Sequence, residues 1–273
     1  MILDRIWNSF SKEEFSNETI ISIASTQYQL SLTERDFPLL RNYILIQTVS
    51  GYGSCHLEHP MTLEENLINK SIYDLQRTPR GIQIAALDAF YAKFKPAANE
   101  EHVLNGNNFL KVQHRTDIVI EQVKKVKDSL GKEKVLVSLL GALGSMIDRL
   151  VTLENICLKV FDKNPKIIGR KINNTSIEEY YGIDQIFESD IIIMSGMTLL
   201  DSTLDKVLVN KIKPKIILYA QTGANFIQPY MELGVTSVIS EPYPFYFCSG
   251  GVSIIKVYNT LPPSYTLPRL LMD

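Results

Sequence analysis

The feature that most restricts what this chain can fold into is the order of its second half, where strand-length apolar runs alternate with turn and helix segments from Gly131 onward. The runs are Lys134 to Leu140, Ile156 to Phe161, Asp190 to Met194, Lys215 to Tyr219, Thr236 to Ile239 and Val252 to Val257, with a helix expected near Ser145 to Glu154. Most are continuously apolar. A strand with one wet face alternates, so these strands belong in a sheet covered on both sides. The expected architecture is α/β: a Rossmann-like, mostly parallel sheet with helices on both faces. Ligands of such sheets bind beyond the carboxyl ends of the strands, so the residues following each strand are the first candidates for a site.

The first half has a different order. Strand-like segments at Thr19 to Leu30 and Tyr43 to Ser50 precede helices, as in an α+β unit with segregated elements. Thr62 and Glu65 make a T-x-x-E capping box. Thr78-Pro79 reads as an N-cap and first turn, followed by Ile82, Ala85, Ala86, Ala89 and Phe90 on one helical face, whose small residues suit close packing on a sheet. Thr116 is expected to open a further helix with Val119, Val123, Val126 and Leu130 inward, stopped by Gly131 as a C-terminal cap. A chain of 273 residues lies near the size at which single cores stop growing. Two domains are therefore expected, an N-terminal α+β domain over 1–130 and a Rossmann-like domain over 131–273.

Composition narrows the partners. Twenty-eight Lys and Arg against 30 Asp and Glu leave a net charge of -2, which offers no field to recruit nucleic acid or an anionic membrane. The three cysteines, Cys55, Cys157 and Cys248, give no disulfide framework, and no early apolar run resembles a secretion signal. The expectation is a cytoplasmic protein whose partner is a small molecule or metal ion, with homo-oligomerisation left open.

Four constellations carry chemistry. Gly141, Gly144 and Ser145 follow a strand and open a helix, where free N–H groups can meet an anion, and Asp162 ends the next strand near where a ribose-binding acid sits in dinucleotide folds. This is not a G-x-G-x-x-G. Ser195, Gly196, Thr198, Asp201, Ser202 and Thr203 crowd the loop after Ile191 to Met194, more polar groups than one helix cap requires. Gln221 and Thr222 stand at the end of the neighbouring strand. Cys55, His56, Glu58 and His59 are ligand types for zinc and related transition metals, although in extended chain His56 and Glu58 share one face and Cys55 and His59 the other. His102 and His114 are further candidates without a motif. The aromatic stretch from Glu241 to Gly251 reads as core beneath the last strand, with no catalytic role for Cys248.

At three segments the chain resembles the heavy-metal-chelation domain family, a family of unknown function in which an enolase-N-terminal-like domain precedes a Rossmann-like domain. In SDIIIMSGMTLLDSTLDKVL, Gly196 and Thr203 match the family pattern, while Ser195 replaces a threonine and Asp201-Ser202 an asparagine-glycine. KIILYAQTGANFIQPYMELGVTSV is similar to its next strand, loop and helix, with Gln221-Thr222-Gly223 in place of glycine-proline-serine. TPRGIQIAALDAFYAKF is similar to its alanine-rich helix, through Gly81, Ala85, Ala86 and Ala89, with Asp88 where asparagine is common. The resemblance implies a cleft between the domains, lined by Gly51 to Glu58, the Gly81 helix start and the loops after the C-terminal strands. It implies no reaction.

The leading expectation is a metal-handling protein that binds a transition metal ion or a metal-chelating molecule in that cleft, with metallophore synthesis or modification as the enzymatic version. Its rival is an enzyme using an adenosyl or phosphorylated ligand held by Gly141, Gly144, Ser145 and Asp162. A ligand sensor without turnover is the third reading.

Overall fold

The computed structural model describes residues 2–30, 39–63, 67–209, 214–245 and 251–259. Two short helices, α1 (Ile2–Ser9) and α2 (Lys12–Ser16), open it, α2 with a capping box between Ser11 and Glu14. Strands β1 (Ile20–Leu30), β2 (Leu39–Thr48) and β3 (Gly51–Leu57) form an antiparallel three-stranded sheet in sequential order. The helix α3 (Arg80–Tyr91) packs on it and is buried almost all round, as its apolar composition demands. The expected close approach is there. Gly53 of β3 faces the α3 backbone at Ala85 and Ala89, with no room for a Cβ.

Strand β4 (Glu100–Leu104) and the long helix α4 (Asn108–Leu130) follow. Then come β5 (Val135–Leu140), α5 (Gly144–Leu150), β6 (Ile156–Asp162), the hairpin β7 (Lys171–Ile172) and β8 (Thr175–Glu179), β9 (Ile191–Ser195), α6 (Thr203–Val209), β10 (Lys215–Ala220), α7 (Ile227–Glu232), β11 (Ser237–Ser240) and β12 (Ser253–Tyr258). These strands build one nine-stranded sheet, ordered β4-β12-β11-β10-β9-β5-β6-β8-β7. Five of its eight pairings are parallel, the antiparallel ones lying toward the edges. One apolar cluster lies under α4 and α5, and another lies between the opposite face and α1, α3, α6 and α7. Both faces are covered, which is why the strands read as continuous apolar runs.

Three local readings need correction. Thr116 does not open a helix: α4 begins eight residues earlier, where the Asn107 side chain accepts the Leu110 N–H at 3.0 Å, and Thr116 sits within it with its hydroxyl on the Val112 carbonyl at 2.9 Å. Gly131 does end it, with φ 62°. Thr78 is not the cap of α3, because its hydroxyl donates back to the Leu75 carbonyl at 2.7 Å and Pro79 holds the cap position. The helix after β5 is shorter than expected and stops at Leu150. Glu65 and Cys248 lie outside the described residues. Among the described residues no helix is long and apolar enough to cross a membrane.

Candidate functional site

The chain reverses direction in the sheet between β5 and β9. From β5 it winds outward through β6 to β8, then returns to the other side of β5 and continues through β9, β10 and β11. The loops after β5 and β9 therefore leave from opposite sides of this switch point, where open α/β sheets as a class form their ligand crevice. Gly141, Gly144, Ser145, Ser195 and Thr198 are half-buried there, while the interiors of β9 and β10 are sealed.

On the face under α4 the side chains change character at this edge. Val137 and Leu139, Ile191 and Ile193, Ile217, Ile239, Ile255 and Val257 form the apolar cluster there. Two-residue periodicity brings Gly141, Ser195, Tyr219, Gln221, Glu241 and Ser253 to the same face at the carboxyl edge. Tyr219 is the register partner of Ser195 on the adjacent strand. The stripe of α4 that covers them changes in step, from Val126, Val123 and Val119 to Arg115 and Lys111, both buried.

These groups are bonded together. Glu241 is fully buried and accepts from the Tyr219 hydroxyl, from Gln221 Nε2 at 2.9 Å and from the Ser253 hydroxyl at 3.4 Å. The Arg115 guanidinium lies 5.2 Å above the Tyr219 ring and 3.5 Å from its hydroxyl. Lys111 donates to the Gly251 carbonyl. Thr116, one residue after Arg115, has its hydroxyl 3.0 Å from that of Ser145, so α4 is tied at this point to the start of α5. Burying charged groups costs several kcal/mol per ion unless they are well paired, so such a network marks a place the fold sustains against its own stability.

A second polar seam joins the loop after β10 to β3. The Ser54 hydroxyl donates to the Gln221 carbonyl at 2.7 Å, and the His56 N–H donates to the Thr222 hydroxyl at 2.8 Å. Asp88 of α3, 1% exposed, accepts the Ser54 N–H at 2.9 Å and the Asn225 N–H at 2.7 Å, one on each carboxylate oxygen. The Asn225 amide returns a bond to the Asp88 carbonyl at 2.9 Å. Burial pushes the Asp88 carboxyl up to about 7, against the pull of its N–H donors and of Lys95.

The structure places the remaining sequence candidates as follows. Asp162 holds the turn after β5, accepting the N–H of Ala142 at 2.7 Å on one oxygen and of Asn164 at 2.8 Å on the other. Thr198 donates to the Ser195 carbonyl at 2.6 Å. Asp201 accepts the Thr203 N–H at 2.9 Å and pairs with Lys163, while Ser202 takes a left-handed turn with φ 60°. Gly196 fits tightly against the Thr222 carbonyl. Gln221 bridges the sheets, accepting from the Tyr43 hydroxyl at 3.0 Å while donating to Glu241. Thr222, in the loop after β10, is buried and faces β3 through the His56 N–H.

The four candidate metal ligands do not converge. Cys55 and His56 are buried on opposite faces of β3, and Glu58 and His59 are exposed beyond its end. Among the described residues no three His, Cys, Asp or Glu side chains come together as metal ligands. His102 and His114 do meet, with ring centroids 6.3 Å apart. His56 stacks on Tyr43 at 4.8 Å. Burial, helped by the Arg41 charge, pushes its imidazole down to about 3. An unfolded histidine titrates near 6.5, so below that pH the unfolded chain binds a proton that the folded one refuses. The resulting stability is complete above about pH 6.5 and is lost as the pH falls toward 3. Urea titrations of a His56→Phe variant, which keeps a ring on Tyr43, are expected to remove about 2 kcal/mol of acid loss between pH 6.5 and 5. An unchanged pH slope would contradict the burial argument.

Sequence reasoning missed Lys111, Arg115, Tyr219 and Glu241 as a group, as well as the pair Asp88 and Asn225. Asp88 carried a signal, as a lone carboxylate within an alanine-rich apolar helix. Arg115 carried one too, but it was hidden by placing the helix start at Thr116.

The fold and this edge define an open α/β sheet protein with a topological switch point between β5 and β9 and an antiparallel sheet sutured beside it. Two solved structures of DUF364-family proteins of unknown function are similar to it in fold. One, from Pyrococcus horikoshii, is 15% identical and matches 95% of this chain and 100% of its own with a TM-score of 0.54. The other, from Desulfitobacterium hafniense DCB-2, is 13% identical and matches 93% of this chain and 97% of its own with a TM-score of 0.55. At such identities the likeness is one of fold alone. No family model matches the chain, and no curated protein shows significant similarity to it.

Proposed function

We propose that this chain binds a small organic molecule bearing a phosphate or carboxylate, of the adenosyl or phosphorylated class, in the crevice between the loops after β5 and β9. The observation that carries this reading is the change from apolar to polar on the α4 face at the point where the sheet reverses. Ser195 and the N–H groups of Gly144 and Ser145 would receive the anion, with the Arg115 and Tyr219 pair beside it. Glu241 and Gln221 hold that pair in place and link it to Tyr43.

Transition-metal handling has weaker support, because Cys55, His56, Glu58 and His59 point apart. The division into an enolase-N-terminal-like domain and a Rossmann-like domain belongs to the same proposal, supported by a β-meander backed by α3 ahead of the large sheet. So does a cytoplasmic location, supported by the sparse cysteines.

Thermal unfolding against nucleotides, S-adenosylmethionine, sugar phosphates and small carboxylates tests the reading. A ligand at a hundred times its Kd adds about 2.7 kcal/mol of stability. Ser195→Ala, which truncates only a half-buried hydroxyl, and Arg115→Ala are expected to weaken binding, the latter by about 1.5 to 3 kcal/mol as for a lost charge-assisted hydrogen bond. Absence of any stabilising ligand across the panel would sink the proposal.

A further inference from the structure

On the face of the sheet opposite α4, a groove of about 450 Å³ runs between α1 and the start of α3, floored by Leu3 and lined by Asp4, Trp7, Asn8, Gln76, Arg80 and Gln83. This volume is within the range of small-molecule sites. Its chemistry differs from that of the crevice. Arg80 is already neutralised by Asp205, its Nη2 lying 2.8 Å from the carboxylate, and its Nε donates to the Leu199 carbonyl at 3.0 Å. Gln83 is held from both ends, accepting from Trp7 Nε1 at 3.2 Å and donating to the Thr78 carbonyl at 2.8 Å, so the indole and one amide are fixed in place. Asn8 and Gln76 are exposed and add two further carboxamides.

The lining thus offers amides that both donate and accept, one carboxylate, a charge-compensated guanidinium and an indole. A net anion gains nothing from a cation that is already paired, and an apolar ligand would strip water from the amides without replacing their hydrogen bonds. Neutral vicinal hydroxyls match carboxamide and carboxylate groups, each of which can serve two neighbouring hydroxyls, and the C–H face of a sugar ring packs on an indole. We infer that this groove binds a neutral polyhydroxylated molecule, a mono- or disaccharide, independently of the carboxyl-edge crevice.

Trp7 is the one tryptophan of the chain, so its fluorescence reports on this groove alone. Full-length protein would be titrated with glucose, galactose, mannose, maltose and cellobiose. The expected result is a saturable change with at least one sugar. Asn8→Ala and Gln76→Ala, both truncating exposed side chains, should each weaken it roughly five- to tenfold, as for a lost hydrogen bond. Arg115→Ala should leave it intact, which separates this site from the crevice. A linear change without saturation, a saturable change that neither truncation alters, or a response to short neutral peptides in place of sugars would overturn the inference.

Discussion

Gly53→Ala is expected to abolish folding, or to leave a protein more than about 5 kcal/mol less stable, the extreme of what single substitutions do. The reason is spatial. A Cβ at Gly53 would overlap the Ala85 carbonyl oxygen and the Ala89 nitrogen, and would stand 2.7 Å from the Asp88 carbonyl carbon. All three are backbone atoms of α3, which cannot swing aside as a flexible side chain can. To admit one methyl group the helix must lift from the sheet, opening the contact at Ala85 and Ala89, both fully buried. The contrasting substitution is Gly131→Ala. Gly131 has φ 62° but open space around its would-be Cβ, so only the left-handed strain of about 1 to 2 kcal/mol applies. Urea denaturation of both variants, with soluble yield as the first readout, checks the pair; a Gly53→Ala protein as stable as Gly131→Ala would show that α3 does not press on β3 as described.

Asp88→Ala is expected to cost about 2 to 6 kcal/mol, because it strands two buried N–H donors, each worth about 1 to 3 kcal/mol when left unsatisfied. Those donors, on Ser54 and Asn225, belong to β3 and to the loop after β10. The damage should therefore fall on the seam, and protease sensitivity should rise in both segments together. The same carboxyl has a pH signature. Burial raises it to about 7, above an unfolded value near 4, so between those limits the folded chain keeps a proton that the unfolded chain has lost. Its contribution is full below about pH 4 and is lost as the pH rises through 7. This is opposite in sign to His56, and over pH 5 to 6.5 the two nearly offset each other. Asp88→Asn should expose the His56 slope, with stability rising with pH, whereas His56→Phe should expose the falling slope of Asp88. Parallel pH profiles in the two variants would refute the assignment of either group.

How much of the site was legible depended on range along the chain. The loops after β5, β9 and β10 could be read because strand, turn and helix are local patterns, and the structure does gather Gly141, Ser145, Ser195 and Gln221 at one edge. Arg115 could not be joined to them, since it meets Tyr219 across 104 positions of sequence. The cluster from Cys55 to His59 shows the reverse. Five neighbouring positions held four candidate ligands, yet strand geometry sends Cys55 and His56 to opposite faces, and proximity in sequence did not become proximity in space.

The sequence by itself determined the apolar runs, the Gly131 stop and the small-residue face of α3, and with them an α/β protein with a sheet buried on both sides. These follow from backbone sterics and the periodicity of burial, which act over a few residues. Only the tertiary structure decided that β9 to β11 return to the far side of β5, that β4 and β12 close one edge, and that Glu241 is buried with Tyr219 beneath Arg115. Those outcomes depend on which surfaces exclude water together. That is a property of the whole packed chain, in which Asp88, Ser54 and Asn225 become neighbours only after their helix, strand and loop have docked.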